Sequence, residues 1–327
     1  VDTFGAMVDA FLAHHEEAGT LAPSTLREWK RILNPDPPPK ERKKHVRKDL
    51  PPQSKAMKHL RTLPPAEITD VDVARVMDAY EQRKAHIMGN RVQGALAAVF
   101  TWAKARRRFG VRENPVRSLP RRHKEAPRER TLDLDEIRRV WNVLDAEDLR
   151  FRVALRLVLL SGQRPGEVYR MRWEHIEGST WTMPQGYRKA TKADNGRPAK
   201  AHRVHLSAPA LAEVERIRGW ERGGYVFPAK VEGKPKPIER HAPAHIVRRL
   251  VIRLEMPAWV PHDLRRSART LWSDVLKVDP IVAEKLLGHA LPTLLRTYDR
   301  GEQWEERVDA LERWGAYVAN LVTEDER

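Results

Sequence analysis

The chain has 327 residues, enough for two domains with separate cores, and it carries 61 Lys and Arg against 45 Asp and Glu, a formal charge of +16 that calls for a polyanionic partner. Its best apolar run, Phe151 to Leu160, is interrupted by Arg152 and Arg156 and is too short for the roughly 18 residues of a spanning helix, which argues against membrane insertion. No cysteine is present, which excludes disulfides and cysteine-ligated zinc. No secretory signal opens the chain, and the cytoplasm, on the nucleoid, is the expected location. A start at Val1 without Met suggests that something upstream is missing.

Residues 1–118 read as short helices. Phe4, Met7, Val8, Phe11 and Leu12 follow the helical period, as do Val92, Leu96, Val99, Phe100 and Ala103. Between them, prolines from Pro35 to Pro52 bracket a basic run containing Lys43 and Lys44, read as an exposed loop whose lysines meet a polyanion. Asn114-Pro115 ends the helical region. Residues 119–130 read as a basic interdomain linker, in which Arg121, Arg122, Lys124 and Arg128 are candidates for contact with nucleic-acid phosphates.

The second domain spans 131–327. Asp133 and Glu136 make a capping box before Ile137, Val140, Trp141 and Leu144, and the Phe151 to Leu160 helix is placed at the centre. Strands are expected at 180–183 and 203–206. Helices follow at 243–254, 262–275 and 280–287, the last with Asp279 at its N-cap, Pro280 in first position and Gly288 past its end. An amphipathic helix closes the chain at 303–322. The fold class is therefore mainly α with a small β-sheet, an α+β second domain following a helical first one.

Few chemistries use the residues that cluster in the last half. Arg164 stands in SGQRPGE at the head of a helix, His262 and Arg265 share a helix face in PHDLRR, His289 follows Gly288 in LLGHALP, and Tyr298 lies nine residues beyond that histidine. Two arginines bind phosphate oxygens and remain protonated. Two imidazoles and a phenol add a proton acceptor and a nucleophile. Taken alone, Arg164 would be one surface arginine among many, His262 a helix-start histidine and Tyr298 a packing tyrosine; their order together gives the sharper reading. Glu167, one turn after Arg164, either orients its neighbours or packs. Trp102, Trp141, Trp173, Trp272 and Trp314 are assigned to cores. His14-His15 and His241 through His245 lack the partners of a closed metal site.

In this order the boxes resemble those of the tyrosine recombinases, the phage-integrase family, and HALPTLLRTYDR resembles integrases of genomic islands and of conjugative or phage elements. The resemblance implies a two-domain clamp on double-stranded DNA, with residues 1–118 as a helical core-binding domain, 119–130 crossing the backbone and 131–327 as the catalytic domain. It implies a site-specific recombinase that integrates or excises a mobile element through a 3′-phosphotyrosine at Tyr298, without cofactor or metal. Arg164, His262, Arg265 and His289 would serve the phosphate. A hairpin lysine would protonate the leaving oxygen. Lys192, in a Thr-Lys pair near the turn, is preferred to Lys189, which spacing from Pro184 favours, with Lys200 third; His205 stands where the family has proline. A homo-tetramer on attachment sites, with room for accessory DNA-bending or directionality factors, and an upstream arm-binding domain removed from this chain also follow. The C-terminal helix would dock on a neighbouring protomer or on its own domain. Type IB topoisomerase activity, a non-catalytic DNA-binding module and a metal-dependent nuclease are the alternatives. The Leu-Gly-His box and the helical tail argue against the first, filled catalytic positions against the second, and the lack of clustered carboxylates against the third.

Overall fold

The computed structural model describes residues 2–34, 55–188, 199–220, 222–230, 233–291 and 301–323. Two compact units divide the chain, Val1–Pro127 and Arg128–Arg327.

The first unit is helical: α1 (Phe4–Glu17), α2 (Pro23–Leu33), α3 (Lys55–Thr62), α4 (Asp70–Glu81) and α5 (His86–Ala105). The Thr3 hydroxyl accepts from the Ala6 amide and starts α1. The periodic faces read from sequence meet in one core, where Phe4 stacks on Phe100 at 5.2 Å and Met7, Val8, Val92, Leu96 and Val99 are buried. Lys43 and Lys44 lie outside the described residues.

The stretch expected as a basic interdomain linker, 119–130, divides between the two units. Its first part lies along the helical unit, because buried amides of α5 bind its backbone. Gln93 donates to the Leu119 carbonyl at 3.0 Å, and Asn90 donates to His123 O at 3.0 Å and to Glu125 Oε1 at 2.9 Å. Arg128 and Arg130 belong to the second unit, bonded to Asp263 and Glu136.

The second unit opens with α6 (Leu134–Val143), where the capping box forms: Glu136 N donates to Asp133 Oδ1 at 2.8 Å and Asp133 N to Glu136 Oε2 at 3.1 Å. Helix α7 (Leu149–Ser161) is buried from Val153 to Ser161 and packs against the later helices Ala208–Arg216 and Pro261–Asp274, so it is the axis of this core. After the single turn α8 (Pro165–Val168) comes an antiparallel sheet in the order β1 (Ile176–Glu177), β2 (Thr180–Met183), β3 (His202–His205), with Trp181 opposite Val204. The two-residue β1 is too short to show alternation in sequence. Helices α9 (Ala208–Arg216), α10 (His241–Arg253), α11 (Pro261–Asp274), α12 (Pro280–Leu286) and α13 (Trp304–Thr323) complete the unit. Asp279 caps α12 by accepting from the Ile281 and Val282 amides at 2.8 and 3.2 Å.

The apolar face of α13, expected on a neighbouring protomer or on its own domain, is covered by its own unit. Trp314 is fully buried and its Nε1 donates to Leu159 O of α7 at 2.9 Å, while Leu311 and Val318 join the same core. His205 sits 2.6 Å from Glu312 and ties β3 to this helix.

Candidate active site

Each sequence box gives one backbone feature that carries a side chain into the same place. In SGQRPGE, Gly162 ends α7 in the left-handed region at φ +64°, and a Cβ there would stand 2.4 Å from the ring of Trp272. Only glycine fits this turn. Arg164 is then the N-cap of α8, with Pro165 next. The buried carboxylate of Glu167 accepts from the Arg164 backbone amide at 3.2 Å and from its guanidinium at 3.0 Å. Glu167 therefore orients Arg164 and also shares its charge.

The end of α12 is where the boxes join. The last carbonyls of a helix lack partners within it and carry negative potential. Here four segments supply donors to them. Gln163 Nε2 and His202 Nε2 reach Leu286 O at 2.8 and 3.2 Å, Arg265 reaches Leu287 O at 3.2 Å, and Arg188 reaches Gly288 O at 2.7 Å. Gly288 turns at φ +63°, and a Cβ there would meet the Arg188 guanidinium at 1.7 Å. The turn presents His289, whose Nε2 lies 2.7 Å from Arg265 and whose Nδ1 lies 2.6 Å from Glu284.

On α11, Arg265 is buried and spans two boxes, donating to Gly162 O at 2.8 Å as well as to Leu287 O and His289. Burial, with Arg164 nearby, pulls its pKa down to about 9, so it stays protonated at neutral pH. His262 is pushed down to about 4 by burial, reinforced by Arg265 and Arg266. His289 is also lowered by burial and by Arg265, against the opposing carboxylate of Glu284. His202 lies well below the ordinary value because it is buried beside Arg188 and Arg307. At neutral pH the site thus combines cationic guanidiniums with neutral imidazoles. A phosphodiester anion would relieve the mutual repulsion of the arginines, and a neutral imidazole is available to take a proton.

The structure brings Arg164, His262, Arg265 and His289 into one electrostatic cluster, each histidine feeling both arginines. Tyr298, Lys189 and Lys192 lie outside the described residues. Lys200 is exposed beside the buried Ala199. Asp263 is structural: fully buried, it accepts from the Val260 amide at 2.9 Å, from Arg128 at 3.0 Å and from Arg266. Two of the residues expected to contact phosphate are ion-paired within the protein. Arg128 is held by this carboxylate and by Ala258 O, and Arg122 is held by Asp78 and Glu81. Arg121 and Lys124 are exposed. Among the described residues no three metal-ligating side chains converge. Sequence reasoning missed Gln163, Arg188, His202 and Glu284; Glu284, five residues before His289 across a helix end, was the one with a local signal.

The comparisons agree with this geometry. The pattern of the phage integrase family matches residues 130–303, and that of the phage integrase central domain matches residues 4–120. The integrase of Enterobacteria phage 434 is 23% identical over 256 residues, 75% of this chain and 68% of its own. The shufflon-specific DNA recombinase of Escherichia coli is 25% identical over 277 residues, 80% of this chain and 67% of its own. In fold, a lambda integrase dimer bound to a COC′ core site superposes with a TM-score of 0.65 at 16% identity, covering 90% of this chain and 97% of that one. The Tn1549 transposon integrase in complex with circular intermediate DNA gives 0.64 at 13% identity, covering 91% and 95%. With both units matched and the arginine and histidine boxes assembled in one place, the chain belongs to the phage integrase family, the tyrosine recombinases, and is an enzyme of site-specific DNA recombination.

Proposed function

We propose that Tyr298 attacks the scissile phosphate of a DNA attachment site held by Arg164, His262 and Arg265, while His289 accepts the phenolic proton. The bond from the tyrosine oxygen to phosphorus forms as the bond to the 5′ oxygen breaks. The products are a 3′-phosphotyrosine and a 5′-hydroxyl, which takes its proton from a hairpin lysine, Lys192 or Lys189. Lys189 directly follows Arg188, which is bonded at the Gly288 turn. A 5′-hydroxyl from a partner duplex reverses the step, and the covalent link retains the bond energy, so neither ATP nor a metal enters the balance. The observation that carries this reading is Arg265, buried and 2.7 Å from His289, joined to the Arg164 turn through Gly162. It supplies charge where phosphate charge develops.

In this reading residues 1–118 bind the core DNA and 131–327 catalyse, with Arg121 and Lys124 giving phosphate contacts. The working assembly is a homo-tetramer on two attachment sites of an integrative element such as a genomic island, open to DNA-bending or directionality factors. Solved neighbours support the assembly: lambda integrase forms a dimer on a core site and a tetramer on a Holliday junction.

A nicked suicide duplex carrying the attachment site, in excess EDTA, tests the chemistry. The wild type is expected to form a covalent protein–DNA adduct, and Tyr298→Phe to bind the duplex without forming one. Adduct formation by the variant would assign the nucleophile elsewhere, and a strict magnesium requirement would contradict the mechanism.

A further inference from the structure

Glu284 has no place in the chemistry above, yet its carboxylate makes the closest contact to His289. Arginine has only donors, so the 2.7 Å contact from the Arg265 guanidinium requires His289 Nε2 to present a lone pair. The imidazole proton must then sit on Nδ1, where it points at Glu284 Oε2, 2.6 Å away. The other carboxylate oxygen accepts from Arg269 Nε at 3.0 Å. Burial alone would raise the Glu284 carboxyl, yet its bonds to His289 and Arg269 hold it below the usual range, so it is an anion at neutral pH. Backbone geometry fixes the pair as well, because the His289 amide donates to the Glu284 carbonyl at 3.0 Å across the end of α12.

We infer that Glu284 is a positioning residue that holds His289 in the Nδ1–H tautomer and so keeps Nε2 as the proton-accepting atom of strand cleavage. This rests on the reading that His289 takes the proton of the attacking hydroxyl. When it does, Arg265 turns its N–H from Nε2 to the bound phosphate, the proton arrives on Nε2, Nδ1 keeps its own, and the imidazolium is stabilised by the adjacent carboxylate. Such a partner acts through orientation and basicity, and its loss costs roughly 10–100-fold at a metal-bound histidine and about 10⁴-fold at the general-base histidine of a catalytic triad. Among the described residues, the groups facing His289 are Glu284 on α12 and Arg265 on α11, with Arg164 before α8 close enough to lower its pKa; Arg269 on α11 acts through Glu284 and Arg188 binds the preceding carbonyl. All of the cations disfavour imidazolium, and Glu284 is the carboxylate opposing them.

The test combines two readouts on the full chain. Long-range nitrogen–proton spectra of labelled protein without DNA are expected to show His289 protonated on Nδ1. Single-turnover adduct formation on the suicide duplex is expected to fall at least about 10-fold in Glu284→Ala. Glu284→Gln keeps one acceptor oxygen and places its NH2 against either Nδ1–H or Arg269, so it is expected to recover only part of the rate. Without the charge that raises the imidazole pKa, its acidic limb moves to lower pH. Protonation on Nε2 in the wild type overturns the inference, as does a Glu284→Ala rate within twofold of wild type. Equal rate loss in both variants, with melting temperature falling in step, assigns Glu284 to packing and also overturns it. A wild type that forms no adduct refutes the recombinase chemistry instead, and the tautomer measurement still decides the role of Glu284.

Discussion

The two units bury different things. Among the described residues, the helical unit buries apolar side chains and three amides, Asn90, Gln93 and Asn114, each donating to backbone carbonyls. The catalytic unit buries Arg150, Arg156, Arg265 and Arg307 together with Glu136, Glu167, Glu213 and Asp263. Buried charge is expensive unless it is paired and fully bonded. The first unit is held by apolar packing, whereas the second also buries paired charges, of which Arg265 and Glu167 belong to the candidate site. The end of α12 shows the means: the carbonyls of Gly162, Leu287 and Gly288 hold the Arg265 and Arg188 guanidiniums in place.

The sharpest contrast between the units should come from glycines of the same backbone conformation. Gly162→Ala adds a methyl in the left-handed region against the immobile ring of Trp272, so strain and overpacking together should cost about 2–5 kcal/mol. Gly19 has φ +58° and open space on the side where a methyl would stand, with nothing within 4 Å, so Gly19→Ala should cost only about 1–2 kcal/mol of backbone strain. Calorimetric melting of both variants checks this. Equal losses would mean that the Gly162 turn is not the rigid seat described.

Acid should separate the units next. His262, His202 and His289 all have folded pKa values below the unfolded value of about 6.5, His262 at about 4. As pH falls below 6.5 the unfolded chain binds protons that the folded site refuses, so stability of the catalytic unit declines toward pH 4 and is fully present above 6.5. Melting between pH 7 and pH 5 should show this decline, reduced in His262→Asn. A transition independent of pH over that range would show that these imidazoles are as accessible to protons folded as unfolded.

The boxes around Arg164, His262, Arg265 and His289 were legible because each is a short local pattern, and the caps at Asp133 and Asp279 for the same reason. What tied the boxes together was not legible. Gln163 to Leu286, Arg188 to Gly288 and His202 to Leu286 join residues 123, 100 and 84 apart in sequence. Nothing in a local window distinguishes such a donor from a solvated one. The ion pairs of Arg122 and Arg128 were hidden for the same reason. Their basic neighbourhood suggested phosphate, while their carboxylate partners, Asp78, Glu81 and Asp263, came from other parts of the chain. Helix α9 is absent from the expected elements although Pro209 marks its first turn.

The smallest expected effect sharpens the same distinction on the surface of the helical unit. Neutralising Arg121 and Lys124 together should lower the slope of log affinity against log salt by about 2 without changing site preference. Arg122→Gln should leave the slope nearly unchanged, because that guanidinium is already paired. A full unit lost in Arg122→Gln would mean that the ion pairs open on DNA.

The central claim is that the assembled arginine and histidine boxes serve one nucleophile, Tyr298. The most direct measurement is to trap the wild-type adduct on a suicide duplex, digest protein and DNA, and locate the nucleotide-bearing residue by mass spectrometry. A 3′-nucleotide on the phenolic oxygen of Tyr298 is the expected result. A nucleotide on Tyr187, Tyr225 or any other side chain, in a wild type that cleaves efficiently, would contradict it.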